Sequence, residues 1–145
     1  MKVDVDDEDF VERIVNCTPM LNMVVLQNKD VLRMRFDDGD SLLIAAAENT
    51  PLERVEETIR VLIARGATVN SKNDRGRTLL MVLATQIEDA HYEPNKAMFL
   101  RILKSVVAAG ANVRAKDDDG RRCIDIRFQY RPARDYLVEA GAGRF

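Results

Sequence analysis

The sequence predicts an all-α protein with short β-hairpin turns, built as a solenoid of stacked helix–turn–helix units. Three observations carry that reading. A stretch starting at Gly66, Gly-Ala-Thr-Val-Asn-Ser-Lys-Asn-Asp-Arg-Gly-Arg-Thr, returns 44 residues later from Gly110 as Gly-Ala-Asn-Val-Arg-Ala-Lys-Asp-Asp-Asp-Gly-Arg-Arg. Both copies keep ten residues between their glycines, Gly66 to Gly76 and Gly110 to Gly120, and a third, damaged copy leads to Gly39. Between these joins, apolar residues recur at helical spacing over spans of 27, 34 and 21 residues (Gly39 to Gly66, Gly76 to Gly110, Gly120 to Gly141). A constant join with variable helical interiors is what a linear array demands, because each unit must fit its neighbour while its free edge can vary.

The elements follow in order, as one domain over residues 3–145. Residues 3–35 read as a degenerate N-terminal unit: Phe10, Val11, Ile14 and Val15 at helical spacing after a run of acids, then Thr18 and Pro19 restarting a helix through Met20 to Leu26. The second unit, 36–72, opens with Ser41 before a helix over Leu42 to Ala47. Thr50-Pro-Leu-Glu53 then reads as a capping box for a second helix that buries Leu52, Val55, Ile59, Leu62 and Ile63. In the third unit, 73–116, Thr78 precedes a helix holding Leu79, Leu80, Val82 and Leu83. A long loop is expected over 86–94, before a helix from Ala97 to Val107. The last unit, 117–145, has Cys123, Ile124 and Ile126, a break around 129–132, and a short helix with Tyr136, Leu137 and Val138 before Gly141.

The totals exclude several classes of protein. With 145 residues the chain can bury one moderate core, and 46% hydrophobic against 32% charged residues is the balance of an ordered globular chain. Twenty-two Lys plus Arg against 24 Asp plus Glu give a net charge of −2, which argues against nucleic acid as the partner. Cys17 and Cys123 with one histidine cannot make a typical structural zinc site, and both are expected to be reduced. No apolar run approaches the ~20 residues of a membrane span. The acidic N-terminus reads as neither a signal nor a transit peptide, so the expected location is cytoplasmic or nuclear.

The repeated stretches resemble those of ankyrin-repeat proteins, whose ~33-residue unit is a β-turn plus two helices carrying a Thr-Pro-Leu-His motif. Gly66-Ala-Thr-Val-Asn, Gly110-Ala-Asn-Val-Arg and Gly141-Ala keep the closing signature. The opening motif is held by Ser41-Leu-Leu-Ile, Thr78-Leu-Leu-Met and Arg122-Cys-Ile-Asp, without the proline or the histidine. In the family, those side chains tie neighbouring hairpins together. Ser41 and Thr78 keep a hydroxyl for that role, whereas Ile44, Met81 and Asp125 cannot replace the histidine. Against the family length, the second unit carries about four extra residues, the third about eleven, and the fourth is about two short. The first unit fits without insertion if Asp6 stands where Gly39 stands in the second.

No catalytic arrangement is legible. His91 has no Ser or Cys nucleophile at a suggestive spacing, and no Glu completes a calcium loop after Asp117-Asp-Asp-Gly120, so these aspartates read as solvated acids. No enzyme, cofactor, metal or small-molecule substrate is expected. The resemblance implies instead a binding face made of hairpin tips and first-helix ends. The candidate partner-binding residues are Asp37, Asp38 and Asp40; Asp74, Arg75 and Arg77; Asp118, Asp119 and Arg121; with Glu48, Gln86 and Tyr130 at the helix ends and His91 and Tyr92 in the expected loop. The expected role is a regulatory subunit, inhibitor or adaptor that binds another protein. In size and unit number the chain is similar to the small ankyrin inhibitors of cyclin-dependent kinases, which implies a kinase as one expected partner. Short viral and bacterial ankyrin effectors are a second comparison.

Overall fold

The computed structural model of the chain describes residues 32–33, 35, 39–50, 52–125 and 129–141. It divides into two compact units, Met1–Thr68 and Val69–Phe145. The helices expected within residues 3–31, with Cys17, Thr18 and Pro19, lie outside the described residues, as do Asp37, Asp38 and Ile126. Among the described residues there are five α-helices and no sheet. None of the helices is long and apolar enough to cross a membrane.

In the first unit an isolated antiparallel bridge, Arg35 to Ser41, closes a turn at Gly39. Helix α1, Leu42–Asn49, follows, and the Ser41 hydroxyl accepts the Ile44 N–H at 3.3 Å. Ser41 therefore caps its own helix. Leu42, Leu43, Ile44 and the three alanines after them are all buried, so Ile44 fills core where the family motif carries its histidine. The helix stops because Pro51 disfavours helical backbone at Thr50, which is extended (φ −76°, ψ 137°) and donates its N–H to the Ala46 carbonyl.

The expected capping box does not form. Helix α2 is Val55–Ala64, four residues beyond the start the sequence suggested, and Arg54 at its N-cap makes no side-chain capping bond. Leu52 is 46% exposed and Glu53 is exposed, so neither faces the core. The Thr50 hydroxyl is buried with no hydrogen-bond partner. Glu56 and Glu57 in the first turn supply the favourable charge that the missing cap does not, and Val55, Ile59 and Leu62 are buried as expected.

The second unit holds helices α3, Leu79–Asp89, and α4, Glu93–Ala108, then a 3₁₀ turn, Cys123–Asp125, and helix α5, Arg131–Glu139. The long loop expected over 86–94 is a correction: most of it is helical, and only residues 90–92 connect α3 to α4. Polar Gln86, Glu88 and Asp89 suggested that α3 had ended. Ile87, however, lies one turn beyond Leu83 on the buried face and is itself fully buried, which holds the extra turn in place. The added residues of this unit lengthen its helices rather than forming a free loop. Lys96 donates to the Ile87 carbonyl at 2.7 Å, satisfying an orphan acceptor at the end of α3. Pro132, expected in a break, sits in the first turn of α5, where its missing N–H costs nothing.

Joins between the two repeats of this unit rest on the closing signature rather than on hydroxyls. The Thr78 hydroxyl is buried without a partner, and Met81 is core. Instead, Asn70 donates to the Gly110 carbonyl at 3.1 Å and accepts the Asn112 N–H at 2.7 Å. Arg114, the residue at the same place one repeat later, donates through Nε to the Gly141 carbonyl at 2.7 Å. Lys72 donates to the Lys116 carbonyl at 3.0 Å, and the Asp118 N–H donates to the Arg75 carbonyl at 3.0 Å. Gly76 is fixed twice: its φ is +74°, and a Cβ there would meet the Asp118 carboxylate at 2.5 Å. Gly120 has a similar φ of +76° but open space around it.

Candidate functional site

Each hairpin tip in the second unit is shaped by one side-chain oxygen. Asn73 Oδ1 accepts the N–H groups of Arg75 at 2.9 Å and Arg77 at 3.0 Å. Asp117 Oδ1 does the same for Asp119 and Arg121, both at 2.9 Å. Asp117 is therefore not the solvated acid expected; its side chain is only 7% exposed. Burial works to raise its pKa, but the two backbone amides and the Arg121 guanidinium outweigh it and hold the carboxyl below its ordinary value.

The two tips and the start of α3 line a groove of about 500 Å³, within the ~300–1,000 Å³ range of ligand pockets. Of the residues expected from sequence, Asp74, Arg75, Arg77, Asp118, Asp119 and Arg121 line it. Its lining also includes Thr85, which stands beside Gln86 on the first-helix end expected in the site, and Met81, Asp117, Arg122 and Asp125, which the sequence did not assign to it. Two signals pointed to three of them: Asp117 stands 44 residues after Asn73, and Arg122 is spaced three residues from Asp125.

The groove's charges fall into two sets. Arg121 pairs with Asp119 at 3.0 Å and Asp117 at 3.4 Å, and Arg122 pairs with Asp125 at 3.1 Å. Asp125 also accepts the Arg122 N–H at 2.8 Å, so the residue in the histidine's place caps its own turn. The hydrogen bond from the Arg122 side chain, then that from its amide, draws the Asp125 pKa down, and Asp125 in turn raises that of Arg122. Arg77 is different: its Nη2 donates to Thr85 Oγ1 at 2.7 Å and to the Met81 carbonyl at 3.4 Å. Among the described residues Arg77 meets no carboxylate, and the side chains of Asp74, Arg75 and Asp118 make neither an ion pair nor a hydrogen bond.

The remaining candidates lie elsewhere. Asp40, half-buried, and Glu48, exposed, belong to the first unit. His91 is exposed and Tyr92 is 64% exposed, both in the α3–α4 connection, while Gln86 is half-buried. The Tyr130 ring lies 5.9 Å from Lys96 Nζ; burial, then the neighbouring Glu93 carboxylate, raises its pKa. Glu88 Oε1 accepts the Gln129 N–H at 2.8 Å, tying the start of α5 to the end of α3. None of these residues belongs to the groove lining.

Reactive groups are few among the described residues. Cys123 is buried, donates to the Val113 carbonyl at 3.5 Å, and has its thiol pKa pushed up to about 11 by burial, which keeps the nucleophilic thiolate scarce. No cluster of three or more His, Cys, Asp or Glu side chains there could hold a metal ion.

No family model matches the sequence, and no curated protein matches it. Among solved structures, an ankyrin repeat domain from Acinetobacter baumannii is similar to this chain, with a TM-score of 0.72 and 26% identity. The likeness covers 97% of this chain and 67% of that one.

Proposed function

We propose that this chain, an ankyrin-repeat protein, acts as a regulatory subunit, inhibitor or adaptor by seating another protein in the groove between its hairpin tips. The ankyrin architecture is an interaction scaffold, so the general role is protein binding. The finer reading treats residues 3–145 as one array of four units, the first degenerate and the last short. The binding role rests chiefly on the groove, where the side chains of Asp74, Arg75 and Asp118 are charged, exposed and unused by the fold. Arg121, Arg122 and their aspartates in the lining are already paired, so the side chains of Asp74, Arg75 and Asp118 can meet a partner without dismantling a hairpin.

Arg75 gives the cleanest test. Its backbone serves the hairpin and the join, while its side chain does neither. Arg75→Glu should leave stability within about 0.5 kcal/mol, as for surface substitutions generally. It should weaken binding of the protein that co-purifies with the chain by about tenfold or more. Unchanged affinity in Arg75→Glu and also in Asp118→Lys, with both proteins folded, rules out this surface. If the co-purifying protein is a kinase, the likeness to kinase inhibitors gains its first support; any other partner removes that comparison and leaves the binding role.

A further inference from the structure

We infer that the groove receives a partner-protein segment carrying a carboxylate side chain flanked by basic residues, with Arg77 as the carboxylate's seat. This rests on the proposed binding role and names the chemistry of its partner. Arg77 is half-buried and lines the groove. Thr85 Oγ1 gives its own hydrogen to the Met81 carbonyl at 3.0 Å and offers a lone pair to Arg77 Nη2 at 2.7 Å. The guanidinium is thus held in place by neutral oxygens, and its charge is not neutralised by any described carboxylate. Arg121 and Arg122, in the same groove, are neutralised. A guanidinium anchored at one nitrogen presents its others as a planar fork, the geometry that suits an oxyanion.

Two oxyanions fit that fork, and the surrounding charge selects between them. The groove's five aspartates outnumber its four arginines. A phosphate monoester carries about −1.5 to −2 charge and is repelled more strongly by those aspartates than a singly charged carboxylate. Asp74 and Asp118, both exposed and unpaired, then supply sites for Lys or Arg beside the acidic residue.

The test selects a displayed random peptide library against the wild-type chain. The enriched peptide is then remade with its acidic residue as the amide and, separately, as phosphoserine. The inference requires enriched peptides that share an Asp or Glu with a neighbouring Lys or Arg. The amide version should bind about tenfold weaker to wild type, and that penalty should shrink to about twofold or less in Arg77→Gln, as a coupled pair demands. The phosphoserine version should bind more weakly than the carboxylate. Should Arg77→Gln fail to fold, Arg77→Lys, which keeps the charge but not the fork, replaces it and should show a reduced penalty. Peptides with no shared acidic position, an amide penalty unchanged in the Arg77 variant, or tighter phosphoserine binding each overturn the inference. Peptides that need no acidic residue yet lose affinity in Arg75→Glu sink this inference alone; peptides indifferent to both arginines sink the groove as a binding site as well.

Discussion

At the scale of single residues, the same job is done at equivalent places by Asn73 and Asp117, and only one of them titrates. Each accepts two backbone N–H groups and so shapes a hairpin tip. The folded pKa of Asp117 lies below its ordinary value. Its stabilising contribution is therefore complete above the unfolded carboxyl pKa of ~3.9 and is lost as pH falls through the lower folded value. Asp117→Asn copies the Asn73 arrangement and should make stability less sensitive to acid. Urea unfolding at neutral pH and near pH 3 should show a smaller loss in the variant than in wild type. Some loss should remain, because the Asp125 carboxyl is also held below its ordinary value. An equal loss in both proteins would remove Asp117 as a titrating support of the tip.

At the scale of elements, the α3–α4 hairpin is where sequence and structure diverge most. The closing glycines and the buried faces of α2, α3 and α4 were legible, because a repeated glycine register and helical apolar spacing are local signals. The last turn of α3 was not. Gln86, Glu88 and Asp89 look like loop residues in isolation, and a single buried Ile87 reverses that reading. The capping box at Thr50 failed for the opposite reason: its pattern was right, but Leu52 finds no core to enter. Ile87 gives the discriminating substitution. As a fully buried helical residue, Ile87→Ala should cost about 2–5 kcal/mol in chemical unfolding. A cost near zero would return the segment to a surface loop.

At the scale of the whole molecule, a repeat array separates the parts that hold units together from the parts that meet a partner. Within the Val69–Phe145 unit, Asn70, Arg114 and Lys72 hold the join, while the side chains of Asp74, Arg75 and Asp118 remain unused. The charged tips were legible from their place beside the opening glycines. Their division into structural and free charges was not, since pairing such as Arg122 with Asp125 depends on backbone geometry that spacing alone does not fix. His91 and Tyr92 looked individual in sequence, yet both are exposed and neither lines the groove. The location of the binding face is best read by hydrogen–deuterium exchange of the chain with and without its co-purified partner. Binding through the groove predicts added protection at residues 74–85 and 117–125, with α5 and the outward face of α4 unchanged. Protection confined to residues 90–92, or to α4 and α5, would contradict it.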